Sequence, residues 1–484
     1  KRRTWVFPDF LREMRPSALF IGCFLVLLFM ILTLNAGPTI MDDTDSYHIQ
    51  MVKWAQRYGT VPGIANLHLR FGFNCSWFIS IGLLSPHIQG IDQYLALNGL
   101  LSCWLCHYLL RKMEGAFSKD GNSLSANGGI AVSIILLIAL LIWPMIRGNS
   151  ASANYDFITT CCIIALFIEG FFSGQPGPEW MIWPFYLFTV RMLNAPLLLL
   201  TAFMLSRSSL RAAFAWLSAG AFLIIPFVIR NVILSGYPFF PIWQIDPFAF
   251  DWKVSKPLVR EIFEFIKYYN RSNDNATLVL DKPFSSWIGI WHKDLYAYDR
   301  TLVDLSLAAW AGCLACGKKW IRTRSLPQRL FLGVMLVQMI SCLWSAPDPR
   351  FVYGPLLFPL FTLFTLLPRL RLPRMTIGLF LTSAACIMLV YTIRKTIVDQ
   401  NYRNWLRPHP LPVPTIRTIV VDGIRMRIPD KVLDNWNPRC FDLQLPCLYH
   451  LNPYVRARGS SIRDGFRMEQ QAGTQQMQGE YRIR

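Results

Sequence analysis

Long apolar blocks alternate with short polar segments along most of the chain. About eleven of these blocks approach the ~20 residues that a helix needs to cross a bilayer. The fifth and sixth blocks are short, and Arg191 and Pro196 interrupt them. The pattern predicts an all-α polytopic membrane protein whose transmembrane module covers residues 1–393. The predicted spans lie near residues 17–35, 91–110, 128–146, 155–173, 180–190, 194–206, 212–229, 301–317, 328–345, 351–368 and 375–393.

Lysine and arginine concentrate at alternate ends of the predicted spans. Cytoplasmic loops of membrane proteins carry an excess of these residues, so we expect those ends to face the cytoplasm. The alternation then puts three long segments on the other face: residues 36–90, 230–300 and 394–484. The residues that mark the cytoplasmic ends are Lys1, Arg2, Arg3, Arg12, Arg15, Arg111, Lys112, Arg207, Arg211, Lys318, Lys319, Arg322, Arg324, Arg369, Arg371 and Arg374.

The three outer segments have periodic patterns of their own. Apolar residues recur at helical spacing from Ser46 to Tyr58 and from Pro257 to Tyr269. This spacing predicts a short amphipathic helix in each segment, the first lying at the membrane interface. The last segment is rich in Arg and Pro and alternates briefly from Thr415 to Ile428. It therefore predicts a small β-rich extracytoplasmic domain over residues 394–484.

Composition excludes two broad classes of protein. Of the 484 residues, 53% are hydrophobic and 16% are charged, against roughly 25% charged in an average soluble domain. This balance argues against a soluble enzyme and against a disordered chain. The formal net charge is +19, but much of the excess lies in short loops beside apolar blocks, where it sets orientation. We therefore expect no nucleic-acid partner.

The twelve cysteines do not have the pattern of a disulfide-dense scaffold. Most lie inside apolar blocks, which is typical of cysteines buried as small hydrophobic residues. Cys440 and Cys447 lie instead in the polar tail, on the predicted outer side. Because that side is oxidising in the expected orientation, we predict a disulfide bond between them.

The strongest candidate for chemistry directly follows the first apolar block. Asp42, Asp43 and Asp45 are carboxylates within four positions, and Tyr47 and His48 come next. Neighbouring carboxylates repel one another, which raises at least one pKa unless a cation, a metal ion or a substrate compensates. The run is thus suited to accepting a proton or holding a cation. The alternative is that it only caps the helix that follows.

Polar donors recur further along the same outer segment. His68, Arg70 and Asn74 follow a Pro-Gly turn, which is typical of a structured loop rather than a linker. These three side chains could converge on a substrate. Arg70 could instead form a structural salt bridge with the acidic run, and His48 and His68 could have purely structural roles.

Four arginines lie where predicted spans reach the outer face, against the general trend of positive charge. They are Arg147, Arg191, Arg230 and Arg350, and the polar run 154–156 lies near the first of them. Guanidinium groups bind phosphate bidentately, so a lipid-linked phosphate would explain the set. We expect Arg230 and Arg350 to be the main phosphate ligands and Arg147 to be the next. The alternative for any single arginine is contact with lipid headgroups.

These features together resemble the GT-C superfamily of membrane glycosyltransferases. They are the acidic run after the first span, the long first outer segment with its short helix, and an outer arginine late in the chain. The blocks VPGIANLHLRFGFNCSWF, RNVILSGYPFFP, APDPRF and CFDLQLPCLYHLNPYVRARGSSIRDGF also resemble an uncharacterised bacterial family of polytopic membrane proteins. The superfamily resemblance implies a polyprenyl-phosphate sugar donor and a catalytic base in the first outer segment. The matching positions are Asp42, Asp43 and Asp45, and the motif does not decide among them.

The implied reaction agrees with the chemistry of these residues. A carboxylate can take the proton of the attacking hydroxyl, and arginines can stabilise the leaving phosphate. We therefore predict an inverting glycosyltransferase whose acceptor is a hydroxyl of a lipid, a glycan or a protein. The DxD spacing of Asp43 and Asp45 also suits Mg²⁺ or Mn²⁺, and a metal-free mechanism is an equal alternative. The expected substrate-binding residues are Tyr47, His48, His68, Arg70, Asn74, Arg147, Arg230 and Arg350.

Two other functions are compatible with the same sequence. An O-antigen-type polymerase or ligase would concentrate its essential residues in the outer loop 230–300. A lipid or glycan transporter would perform no chemistry, and such proteins tend to have broken helices and ionisable residues within their spans. In each case we expect a multi-pass integral protein of the bacterial inner membrane, in contact with membrane lipids, with its site facing the periplasm.

Overall fold

The structure is a computed structural model. It describes residues 17–39, 41–88, 90–116, 126–173, 176–272, 276–316, 322, 324–364, 373–395, 410–430, 439–448 and 451–469. Part of the predicted C-terminal domain lies outside these residues. So do nine of the basic residues that define the expected orientation, namely Lys1, Arg2, Arg3, Arg12, Arg15, Lys318, Lys319, Arg369 and Arg371.

Helices dominate the described chain, and each of the predicted apolar blocks contains one. Four helices are long and apolar enough to cross a membrane: Ala18–Ala36, Leu210–Ser235, Leu326–Ser345 and Met375–Ile393. The prediction of a mostly helical chain with helices of membrane-spanning length is therefore confirmed.

The first α-helix begins at Ala18, one residue after the described part of the chain starts. One turn of π-helix, Thr44–His48, precedes α2, and a 3₁₀ segment, Met192–Leu197, separates α8 from α9. The α-helices are α1 (Ala18–Ala36), α2 (Ile49–Tyr58), α3 (Ser76–Leu84), α4 (Ala96–Ala116), α5 (Ala126–Leu141), α6 (Ile146–Ser150), α7 (Asp156–Ser173), α8 (Glu179–Val190), α9 (Leu198–Leu205) and α10 (Leu210–Ser235).

The second half begins with helices of the second outer segment. Residues Pro349–Val352 form a 3₁₀ turn that leads into α16. The α-helices are α11 (Lys256–Arg271), α12 (Ala276–Val279), α13 (Phe284–Asp294), α14 (Ala297–Ala315), α15 (Leu326–Ser345), α16 (Tyr353–Phe364) and α17 (Arg374–Ile393). The amphipathic helix predicted from Pro257 to Tyr269 corresponds to α11, whose apolar face is buried.

Three two-stranded antiparallel sheets complete the described elements. β1 (His87–Ile88) pairs with β2 (Ile91–Asp92), β3 (Ile416–Val421) pairs with β4 (Ile424–Pro429), and β5 (Val455–Ala457) pairs with β6 (Phe466–Met468). The β3–β4 hairpin turns at Asp422 and Gly423, which both have positive φ angles. Such angles match the twist of a two-residue hairpin turn, and an Asp-Gly pair adopts them readily.

The helices bury a continuous apolar core. α1 packs against α4 and α17, and α16 packs against α5, α7 and α14. The buried apolar positions of α1 recur at helical spacing because one face of the helix packs on its neighbours; they are Phe20, Cys23, Leu27, Met30, Ile31 and Leu34. The surface of α10 has the opposite character: Leu210, Phe214 and Phe222 are exposed. Large apolar side chains exposed along a helix of membrane-spanning length are typical of a lipid-facing surface.

The C-terminal segment packs directly on the first outer segment. The Phe441 amide donates to the Asp45 carbonyl at 2.8 Å, and Gln50 donates to the Phe441 carbonyl at 2.9 Å. Lys53 reaches the Asp442 carboxylate at 2.5 Å. The polar face of α2, expected at a membrane interface, is therefore covered by protein. This contact fixes the π-helical turn that carries the acidic run.

Candidate functional site

A cavity of about 1230 Å³ opens where the outer segments meet. The acidic run, the break between α8 and α9, α11, and the loops before α14 and α16 all contribute to its wall. Seven of the predicted catalytic and substrate-binding residues line it: Asp42, Asp43, Tyr47, His48, Arg70, Asn74 and Arg350. The fold thus brings the acidic run together with a polar block and with a late arginine.

Asp43 lies between two arginines on the wall of this cavity. Its Oδ1 is 3.4 Å from Arg70 Nη1, and its Oδ2 is 3.3 Å from Arg350 Nη2. Asp43 stands at the N-terminus of the π-helical turn, but its side chain makes no capping hydrogen bond there. The Asp43 carboxylate therefore interacts with the two guanidinium groups and does not cap the helix.

The electrostatic surroundings keep Asp43 ionised. Burial raises the pKa of its carboxyl, but Arg350 and then Arg70 lower it by more, so the pKa lies below its ordinary value. His48, next to this pair, is almost fully buried, and burial lowers its pKa to about 3. The imidazole is therefore neutral at physiological pH.

His48 and Tyr47 form the inner wall beside Asp43. Neither ring nitrogen of His48 has a hydrogen-bond partner among the described residues. The Arg70 guanidinium lies over the Tyr47 ring, 5.4 Å from its centroid. A buried polar group without a partner is costly, and a ligand in the cavity could supply one.

Arg350 connects Asp43 to further acidic residues of the cavity. Its Nε lies 2.9 Å from Asp348 Oδ2 and 3.7 Å from Asp156 Oδ2. Asp156 also forms an ion pair with Arg191, at the break between α8 and α9. The site is thus a network in which carboxylates and guanidinium groups alternate. A cationic group of a ligand could pair with a carboxylate there, and an anionic group could pair with a guanidinium.

The other two aspartates of the run point toward the C-terminal segment. Asp42 pairs with Arg439 at 2.5 Å, and its side chain is largely exposed. Asp45 is buried, accepts a hydrogen bond from Thr39 and lies 3.8 Å from Arg439. Burial raises the pKa of Asp45 to about 7, the bond from Thr39 and the charge of Arg439 oppose that rise, and Asp42 adds to it. Asp45 does not line the cavity.

The carboxylates do not assemble a metal site. A hard divalent cation takes several oxygen ligands that converge on one point. Asp43 and Asp45 have different partners, and no group of three His, Cys, Asp or Glu side chains in the described part of the chain could hold a metal ion. Within the described residues, the two carboxylates of the DxD spacing thus contact different partners rather than one common point.

Three predicted substrate ligands lie outside the cavity wall. Arg147 is buried and donates to the carbonyls of Leu140 and Leu141 at 2.7 and 2.6 Å, which satisfies the free carbonyl groups at the end of α5. Arg230 is buried behind the cavity and donates to Asn74, which it thereby orients. His68 packs against Phe71 with 5.1 Å between ring centroids. None of these three residues lines the cavity.

The structure adds residues that are not among the predicted catalytic and substrate-binding residues. Three of them had a signal in the sequence. Arg191 interrupts two predicted spans, Asp348 lies two positions before Arg350, and Asp156 belongs to a polar run at the start of a span. Arg439 had no such signal, since its partners Asp42 and Asp45 are nearly 400 residues away.

Cys440 and Cys447 are joined by a disulfide bond. Both are buried, and the loop they close contains Phe441 and Asp442, which contact α2 and the π-helical turn. The remaining cysteines of the described chain are free, and most are buried in the helical core.

Fold and site together define a class: a helical protein with helices of membrane-spanning length and a cavity in which an acidic run faces arginines from distant parts of the chain. The chain belongs to the family described as "Domain of unknown function (DUF8201)", which matches residues 4–357. The matched region contains Asp43, Arg70 and Arg350. Neither the curated proteins nor the solved structures include a match to this chain.

Proposed function

We propose that this protein is an inverting membrane glycosyltransferase of the GT-C type, which transfers a sugar from a polyprenyl-phosphate donor to a hydroxyl acceptor. The observation that carries the proposal is the position of Asp43. It is an ionised carboxylate on the wall of a large cavity, in contact with Arg70 and Arg350. This arrangement supplies a proton acceptor beside two phosphate ligands.

The donor phosphate would compete with Asp43 for its two arginines. Both contacts are long for charge-assisted hydrogen bonds, which are usually about 2.7–2.9 Å. A phosphate bound between the guanidinium groups would gain bidentate contacts, and it would leave the Asp43 carboxylate free. The negative phosphate would also raise the pKa of Asp43, which makes it a better base.

The chemical step then follows from this geometry. The acceptor oxygen attacks the anomeric carbon, and its proton passes to Asp43. The bond between the anomeric carbon and the phosphate oxygen breaks, and its electron pair stays on the phosphate. Arg350 and Arg70 stabilise the charge that develops there. Because attack and departure occur on opposite sides, the anomeric configuration inverts.

The cavity also has an apolar side suited to a lipid chain. Val190, Leu193, Phe227, Phe240 and Ile242 line it, from the end of α8, the 3₁₀ segment, α10 and the loop that follows. Of these elements, α8 and α10 are apolar helices. An isoprenoid tail could lie in the bilayer along this side while its phosphate reaches Arg350. The proposal includes the eleven-span GT-C architecture predicted from the sequence.

We further propose that the site faces the periplasm of a bacterial inner membrane. The disulfide between Cys440 and Cys447 requires an oxidising compartment. The loop that it closes lies directly against the acidic run. The site and the disulfide are therefore on the same side of the membrane.

The test is release of polyprenyl phosphate by purified, reconstituted protein. Undecaprenyl-phosphate hexoses with different radiolabelled sugars are incubated with the protein and a membrane extract as a source of acceptor. We expect release from one donor by the wild type and a loss of release in Asp43→Asn. Asp251→Asn is the matched control, since Asp251 pairs with Arg458 outside the cavity.

Three outcomes distinguish the proposal from its alternatives. Equal release by the wild type and Asp43→Asn removes Asp43 as the base. Translocation of a labelled lipid without cleavage indicates a transporter. Activity that survives Asp43→Asn and is lost on substitution within residues 230–300 indicates a polymerase or ligase.

A further inference from the structure

The cavity has a second side of a different character. Where α13 ends and α14 begins, aromatic and acidic side chains line its wall: Trp291, Tyr296, Tyr298 and Asp299. Tyr269 of α11 and Asp348 of the loop before α16 adjoin them. The mechanism proposed above uses none of the aromatic rings among these residues.

Two of the rings form a fixed platform. Tyr296 and Tyr298 are stacked, with 5.5 Å between their centroids and an angle of 11° between their planes. Tyr296 lines the cavity and is 68% exposed, so much of its ring is open to a ligand. The Trp291 indole donates to the Pro347 carbonyl at 2.5 Å, which holds that ring in place.

The polar groups beside the platform are hydrogen-bond acceptors held in place. Tyr353 donates to Asp299 Oδ1 at 2.7 Å, and the Arg350 backbone amide donates to Asp348 Oδ1 at 3.0 Å. Both carboxylates are thereby oriented, and both line the cavity. Such groups suit a ligand that carries many hydroxyl donors.

The aromatic side is continuous with the catalytic residues. Asp348 contacts Arg350, and Arg350 contacts Asp43. Tyr269 lies within the electrostatic influence of Asp43, Arg70 and Arg350. A ligand on the platform could therefore extend a hydroxyl group to the Asp43 carboxylate.

We propose that this aromatic and acidic side of the cavity is an acceptor subsite for a carbohydrate chain without negative charge. The inference rests on the proposed function and names the acceptor class for that site. Sugar rings present apolar C–H faces that pack on aromatic rings, while their hydroxyl edges donate to carboxylates. On this side of the cavity an anionic acceptor would meet the acidic side chains of Asp299 and Asp348, whereas the arginines that contact Asp43 would be engaged by the donor phosphate.

Binding of oligosaccharides in the absence of donor tests this subsite. Saturation-transfer NMR on the reconstituted full chain would use cellotetraose, maltotetraose, mannotetraose and chitotetraose. Tetragalacturonate serves as the anionic counterpart, and a short neutral peptide containing serine and threonine serves as the protein-type acceptor. We expect at least one neutral sugar to bind, and tetragalacturonate and the peptide to give no signal.

Variants at the platform give the matched comparison. Tyr296→Ala and Tyr298→Ala should each weaken sugar binding by about 2- to 12-fold, the range expected for loss of one aromatic contact. Tyr298→Phe keeps the ring and should retain most of the affinity. Phe284→Ala removes an exposed aromatic ring of the same outer segment outside the cavity and should change nothing.

The two proposals fail in different ways. If no neutral oligosaccharide binds, or if the alanine variants bind as well as the wild type, the subsite is wrong even when donor cleavage occurs. A signal from the peptide alone would assign a protein acceptor instead. If a sugar binds with the expected variant effects but no donor is cleaved, the subsite stands as a carbohydrate site and the transferase proposal fails.

Discussion

The Arg350 guanidinium donates to the Asp43 carboxylate across 3.3 Å, although 307 residues separate the two in the chain. Asp43 follows the first long apolar helix, and Arg350 lies in the 3₁₀ turn before α16. Both residues line the cavity, so their contact brings two distant parts of the chain together at its wall. It makes Asp43 the acidic residue of its run that is best placed to act on a substrate.

The three aspartates of the run should differ in their effect on transfer. Asp43→Asn should reduce turnover by about 10²- to 10⁴-fold, because general-base catalysis supplies that factor. Asp42→Asn should cost about fivefold at most, since it loses an exposed ion pair with Arg439. Initial rates of polyprenyl-phosphate release at equal expression measure both effects. A larger loss in Asp42→Asn than in Asp43→Asn would reverse the assignment.

Arg350→Lys should weaken donor binding. An ammonium group cannot reproduce the bidentate contact of a guanidinium with phosphate, and a hydrogen bond to a charged group contributes about 1.5–3 kcal/mol. We expect a rise of about 10- to 150-fold in the dissociation constant of undecaprenyl phosphate, measured in nanodiscs. Arg147→Lys is the control, because Arg147 donates to backbone carbonyls outside the cavity wall. Unchanged affinity in Arg350→Lys would exclude it as a phosphate ligand.

The stability of the protein should depend on pH through Asp45. Burial raises the pKa of this carboxyl from 3.8 to about 7 in the folded chain. The folded state then binds the proton more tightly than the unfolded state, so the contribution to stability is complete below the unfolded pKa and is lost as the pH rises toward 7. Thr39, Asp42 and Arg439 are the groups that act on this carboxyl.

Asp45→Asn provides the comparison for this pH dependence. The amide resembles the protonated acid in shape and does not titrate. The melting temperature of the wild type should fall relative to that of Asp45→Asn between about pH 5 and about pH 7. Parallel melting curves for the two proteins over this range would show that Asp45 titrates normally.

The disulfide should stabilise the contact between the C-terminal segment and α2. Its two cysteines are seven residues apart, and closing so short a loop contributes about 2–3 kcal/mol in the chain-entropy description. Cys440→Ser should lower the melting temperature and expose the loop to protease. Cys316→Ser, at a free and exposed cysteine, should do neither. Free thiols at both positions in alkylated, unreduced protein would contradict the bond.

The local pattern was sufficient for the helices and for part of the tail. A block of about twenty apolar residues has few alternatives to a helix, because a helix satisfies its own backbone hydrogen bonds. The spacing of Leu258, Ile262 and Ile266 predicted α11, and the alternation from Thr415 to Ile428 predicted β-structure where the β3–β4 hairpin forms. In both cases the information lies within a few turns of chain.

The direction of individual side chains required contacts that local spacing does not encode. Asp43 and Asp45 are the same residue type, two positions apart. Asp43 nevertheless contacts Arg350, whereas Asp45 contacts Thr39 and the C-terminal segment. Arg147 and Arg350 both lie near the outer ends of predicted spans. The Arg147 guanidinium, however, donates its hydrogen bonds to backbone carbonyls at the end of α5. Neither difference has a signal in the neighbouring residues.

The sequence by itself determined a helical chain with helices of membrane-spanning length, an acidic run behind the first of them, and a cysteine pair able to bond. Tertiary structure alone decided that Asp43 faces a cavity between Arg70 and Arg350, and that Asp45 is buried under the C-terminal segment. The reason is physical. Hydrophobic periodicity acts over a few residues, whereas charge pairing and burial depend on groups that only folding brings within a few ångströms of one another.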